Sequence, residues 1–177
     1  MAKRTNRNQR LKKGFTLLEV MVAILILMSV IIVPLEIASK SIKTMRISKD
    51  RIIAFYLAQE ALEYIRNKRD TNWIQGNTGN QWLKGTNPCQ GANGCYIDVI
   101  NDSLSPCGGS CPRIRYSSAN NRYDYDAAST LTPFQRVIKR TDLGGNAETR
   151  ITVTVSWNDA GQTNSVILEG HLNNWMP

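Results

Sequence analysis

The chain has one histidine in 177 residues, and this scarcity removes most catalytic and metal-binding arrangements. A Ser-His-Asp or Cys-His set would rest on His171 alone. That residue lies in an alternating stretch beside Glu169, where an ordinary surface position is the simpler reading. Zinc is poorly served as well: Cys89, Cys95, Cys107 and Cys111 are spaced C-x5-C and then C-x3-C, not as the C-x2-C pairs of zinc ribbons. The glycine stretches QGANGC and CGGSC lack the lysine and following helix of a P-loop. Asp124 and Asp126 of the YDYD run supply too few oxygens for calcium, which takes roughly six to eight. No internal repeat or low-complexity tract is present. No enzyme, no cofactor and no metal is the expectation.

Acidic residues are missing from the first 18 positions, whereas Lys3, Arg4, Arg7, Arg10, Lys12 and Lys13 all fall there. A net charge of +8 suggests a nucleic-acid or anionic-membrane partner until its distribution is considered. Six of the 22 basic residues are in this leader, and from residue 15 onward 16 basic groups face 14 acidic ones. Losing the leader would remove most of the basic character.

Next comes what the leader precedes. FTLLEVMVAILILMSVIIV, Phe15 to Val33, is 19 residues with a single charge, close to the roughly 20 that a membrane-spanning helix needs. The positive leader places residues 1–13 in the cytoplasm and sends the chain after Pro34 across the inner membrane. All four cysteines then reach an oxidising space, which favours disulfides over zinc or free thiols. Three pairings exist for four cysteines; the reading leans toward Cys89 with Cys95 and Cys107 with Cys111.

Pro34 either ends the helix or kinks it. Beyond it, Ile42, Met45, Ile52, Phe55, Ala58, Leu62 and Ile65 recur at helical spacing among charged residues, without a breaker. A kinked, continuous helix from Phe15 to about Lys68 follows. Residues 72–118 hold seven of the twelve glycines, all the cysteines and three prolines, and read as a disulfide-stapled loop region with a short strand at YIDVI, Tyr96 to Ile100. FQRVIKR, Phe134 to Arg140, reads as another strand. ETRITVTVSW, Glu148 to Trp157, is the clearest one, with Ile151, Val153, Val155 and Trp157 on one face; after the NDAGQT turn, NSVILEGHL returns antiparallel to it. The fold class is therefore α+β: a long N-terminal helix, half hydrophobic and half amphipathic, packed on a small C-terminal antiparallel sheet.

Glu19 stands inside the apolar run. A carboxylate near the centre of a membrane helix costs about 2.5–3.5 kcal/mol on insertion scales, less near its end, and is a functional residue by default. A secretory signal peptide would have a shorter run and a small-x-small cleavage site. A plain signal anchor tolerates the length but gains nothing from the glutamate.

KGFTLLEV, Lys13 to Val20, resembles the class III signal of type IV pilins and type II secretion pseudopilins. LAQEALEYIRNKRDTNW resembles the end of the long helix in some minor pilins, ITVTVSW with the closing NNW resembles their terminal hairpin, and Pro34 resembles the kink-forming proline of pilin helices. The resemblance implies cleavage after Gly14 by a prepilin peptidase, methylation of the new amino terminus on Phe15, and pairing of Glu19 with a neighbour's N-terminal amine during filament assembly. It further implies four segments: a leader over 1–14, a membrane and filament-core helix over 15–34, an amphipathic extension over 35–70 and a disulfide-stapled β domain over 71–177.

The implied role is a minor subunit of a type IV pilus or pseudopilus. Its partners would be other pilin subunits, the prepilin peptidase, an inner-membrane assembly platform and, before assembly, membrane lipid. The final location would be an extracellular pilus or a periplasmic pseudopilus. The alternatives are a tip module for adhesion or DNA uptake, with nucleic acid as partner, and a bitopic protein that never polymerises. Two basic clusters bear on this choice. Arg66, Lys68 and Arg69 suit a last helical turn by complementing its dipole, and Arg136, Lys139 and Arg140 suit a solvated strand face. Asn101-Asp102-Ser103 is a formal glycosylation sequon, expected by chance at this length.

Overall fold

A computed structural model describes residues 14–145 and 147–175; the basic leader lies outside them. One helix, α1 (Leu17–Ile74), is followed by seven strands: β1 (Cys95–Asp98), β2 (Ser103–Pro106), β3 (Arg113–Ser117), β4 (Arg122–Asp124), β5 (Thr130–Leu143), β6 (Glu148–Asp159) and β7 (Gln162–Asn173). By contacts the chain separates into two compact units, Met1–Arg46 and Ile47–Pro177. The break falls inside α1, which runs through Pro34 without interruption. Since proline has no amide hydrogen, the carbonyl of Val30 one turn earlier loses its helical partner.

In the second unit the helix packs on an antiparallel sheet whose trunk is β5. Gln135 to Leu143 of β5 pair with β6, while the opposite edge takes β3 near Thr130 and Gln135 and β1 at Ile138. β6 and β7 form a hairpin closed by Ala160 and Gly161, both at positive φ. That is the geometry that matches strand twist in a two-residue turn, and the Asn158 side chain accepts the Gly161 N–H at 3.0 Å. Ile151, Val153, Val155 and Trp157 of β6 are buried with Phe134 and Ile138 of β5. On the helix side the core is made by Ala54, Leu57, Ala58, Ala61, Leu62 and Ile65.

The apolar stripe read from sequence is only half right. Ala58, Leu62 and Ile65 are buried, but Ile42, Met45, Ile52 and Phe55 are exposed, and the small residues Ala54 and Ala61 take the core positions. Alanines allow close approach of helix and sheet. The same economy appears at Gly170 on β7, where a Cβ would stand 2.7 Å from a Leu62 methyl carbon.

Two further expectations are corrected. The helix continues past Lys68 to Ile74, because Asn72 and Trp73 are buried at its end: the Asn72 amide donates to the carbonyls of Trp82 and Lys84, and the Trp73 ring stacks on Trp82 and meets Trp175 edge-on at 4.4 Å. The stretch 72–118 is likewise not a loop region. It holds two 3-10 turns, β1, β2 and β3, and it sends Trp82, Leu83, Ile97 and Ile114 into the core. The glycines that suggested a loop punctuate it; Gly94, at φ +70°, lies where a Cβ would come 2.5 Å from the Ile138 carbonyl oxygen.

Candidate functional site

The amino-terminal start of α1 gathers the residues with unusual chemistry. Gly14, Phe15 and Thr16 precede the first helical residue and have no regular secondary structure. Thr16 is the N-cap: its carbonyl accepts the Val20 N–H, and its Oγ1 accepts the Glu19 N–H at 3.2 Å. T-x-x-E is the sequence of a capping box, in which the hydroxyl satisfies the amide three residues on. Glu19 thus stands in the first turn, at the electropositive end of the helix dipole, where a carboxylate is stabilised. In an apolar medium that matters more than in water, because no solvent replaces the lost hydrogen bonds.

After this turn, from Val20 to Leu35, the helix is exposed on every side and carries no charged side chain. Phe15 is 80% exposed, no residue from Gly14 to Arg46 is buried, and the segment is long and apolar enough to cross a membrane. Two of its hydroxyls are turned inward to the backbone: Ser29 donates to the Ile26 carbonyl at 2.7 Å and Ser39 to that of Leu35 at 3.0 Å. Polar groups closed off in this way suit a non-aqueous surrounding.

The other residues singled out from sequence belong to the second unit. Cys89 is bonded to Cys95, joining the 3-10 turn Asn87–Gln90 to β1, and Cys107 to Cys111, closing the CGGSC loop; all four are buried. His171 is on β7, with Nδ1 2.5 Å from Glu148 Oε1 across the hairpin. Asp124 acts locally, accepting from the Asp126 N–H and the Ser129 hydroxyl. No group of three or more metal-binding side chains exists among the described residues.

Both basic clusters need revision. The last helical turn contains no cation, because α1 runs on to Ile74. Arg66 instead pairs with Glu63, Lys68 with Asp102, and Arg69 with Asp70 while lying over the Trp73 ring. Arg136 is not solvated either: it is 2% exposed, pairs with Glu60 at 2.6 Å, and donates to the carbonyls of Leu57 and Ile97. Alternation in FQRVIKR carries the missed signal, since Phe134 and Ile138 face the core and Arg136 lies between them with the same parity. Arg140 is tied to Asp142 and Thr86. Lys139 is exposed.

Two carboxyls are held below their ordinary range. Lys68 and Tyr64 both donate to Asp102, which lowers it; burial, together with that hydrogen bond to Asp102, pushes the Tyr64 hydroxyl up. For Asp142 burial acts in the opposite direction, but hydrogen bonds from Thr149, Arg140 and Gln90 prevail. These are struts of the fold, and none approaches a reacting arrangement.

No curated protein and no solved structure matches the chain. Residues 9–33, which hold Gly14, the Thr16 cap, Glu19 and the apolar run, match the family described as the prokaryotic N-terminal methylation motif, so this chain carries the class III signal of type IV pilins.

Proposed function

We propose that this protein is a structural subunit, of the minor kind, of a type IV pilus or pseudopilus. A prepilin peptidase would cut after Gly14 and methylate Phe15, and the subunit would polymerise through α1. The methylation motif points to a structural protein and a prepilin-like substrate. The observation that carries the reading furthest is the α1 segment itself: an apolar helix exposed along its whole first half among the described residues, with one carboxylate in its first turn.

A lone carboxylate in lipid is costly, and an amine released at Phe15 of a neighbouring subunit would relieve it. The membrane holds the segment before assembly; neighbouring helices cover it afterward, with apolar burial as the driving force. In this reading residues 1–14 are the leader, 15–34 the anchor and filament core, 35–70 the amphipathic extension and 71–177 the β domain. An inner-membrane assembly platform would extract the subunit.

Mass spectrometry of the mature amino terminus tests the proposal. Phe15 first, bearing one added methyl group, is the expected result. Retention of residues 1–14 in the mature protein overturns it in favour of a bitopic protein that does not polymerise.

A further inference from the structure

Three cations follow the apolar segment on the same helix. Lys40, Lys43 and Arg46 are all exposed, and none forms an ion pair among the described residues. The sole carboxylate between Val20 and Arg46 is Glu36, which is also unpaired although it stands one turn before Lys40. At successive i, i+3 positions the three side chains form a slanted ridge along one side of the helix. The Thr44 hydroxyl between them is spent on the Lys40 carbonyl.

Distance along the helix gives this ridge a setting. Lys40 to Arg46 lie about 4–14 Å beyond Ile37 at 1.5 Å per residue. A headgroup layer is about 5–8 Å deep on each side of the hydrocarbon, and lysine and arginine stems let a charged head reach back toward it. Counting the other way, Glu19 is about 32 Å from Lys40, close to the hydrocarbon thickness of about 30 Å. With the ridge at one headgroup layer, Glu19 falls at the border of the other and not at the bilayer centre.

We propose that Lys40, Lys43 and Arg46 bind the phosphates of anionic phospholipids in the leaflet where the helix emerges. This contact sets the depth of the precursor, so that Glu19 and the Gly14–Phe15 bond are held at the opposite headgroup border. The inference rests on the reading of α1 as a membrane anchor. A cationic side chain near an anionic headgroup layer gains on the order of fivefold in association, so three acting together give a clear preference for anionic lipid.

The test uses the full-length, uncleaved protein in phosphatidylcholine vesicles containing a minority of phosphatidylglycerol. Spin-labelled versions of the two lipids report which is held at the protein surface, and carbonate extraction reports whether the protein is integrated. The wild type should select phosphatidylglycerol at least severalfold. K40Q/K43Q/R46Q should lose that selection while remaining integrated, and the charge-conserving K40R/K43R/R46K should keep it. Release by carbonate overturns the anchor reading itself. Integration without lipid selection in the wild type overturns the proposal alone, as does undiminished selection in K40Q/K43Q/R46Q.

Discussion

Glu19 is the residue on which the functional reading turns, and its removal separates processing from assembly. In Glu19→Ala the cap hydroxyl of Thr16 still accepts the residue-19 amide, so the helix start is kept and cleavage after Gly14 should proceed near the wild-type rate. Incorporation into filaments should fall steeply; pulse labelling of the processed chain together with recovery of sheared filaments measures both. Arg136 makes the contrasting case, since its role is internal. Arg136→Ala strips hydrogen bonds from two buried carbonyls and leaves a void, although Glu60, being partly exposed, can turn to water. A loss of about 2–4 kcal/mol is expected in urea denaturation of the full chain in micelles. Gly170→Ala forces a methyl group against Leu62 and should cost about 1–2 kcal/mol. Combined with Leu62→Val the loss should be less than additive, as for any pair in contact. Asp102 and Asp142 set the pH response. A carboxyl whose folded pKa is depressed stabilises the fold above its unfolded value near 4, and that contribution is lost as pH falls through the folded value. Stability should therefore fall on acidification below about pH 4, and less steeply in Asp142→Asn.

Among the elements, the long runs were legible and most of the short ones were not. α1 and the β6–β7 hairpin could be read because each keeps one period over many residues: threes and fours along the helix, strict alternation along β6. β1 was legible at YIDVI, slightly displaced from its actual span of Cys95–Asp98, whereas β2 and β4, of four and three residues, are too short for a period to stand out against glycine and proline. Their places in the sheet come from pairings with other strands, β1 with β2 and β5 and β4 with β3. The helix end was misjudged for a related reason. RDTNW looks like a polar exit from a helix, and only contacts with Trp82, Lys84 and Trp175 make Asn72 and Trp73 interior residues. At the functional site the result differs. Glu19 could be picked out because its charge clashes with the apolar run around it, and Gly14 only through the resemblance of KGFTLLEV to the class III signal. Arg136 was hidden because a charge in a strand reads as solvated until the parity of its neighbours is counted. The two disulfides span short loops, with sequence separations of 6 and 4, so each should contribute only about 2 kcal/mol by limiting the unfolded chain. Reduction should lower the urea midpoint without abolishing the fold.

For the whole molecule, charge is the property that the proposed processing would change most. The chain has a sequence pI near 9.5, yet six of its basic residues lie before Gly14 and no acidic residue does. Isoelectric focusing of unprocessed and processed forms should show a marked shift toward neutrality on cleavage. An unchanged position would mean that the leader stays.

The cap at Thr16 has a consequence for the proposed cleavage. It stops the helix two residues beyond the Gly14–Phe15 bond, so the bond lies in unwound chain while Glu19 is already inside the first turn. A protease takes its substrate extended, and here no helical hydrogen bond need be broken to present it. In the proposed processing the boundary between coil and helix would be the ruler for the cut.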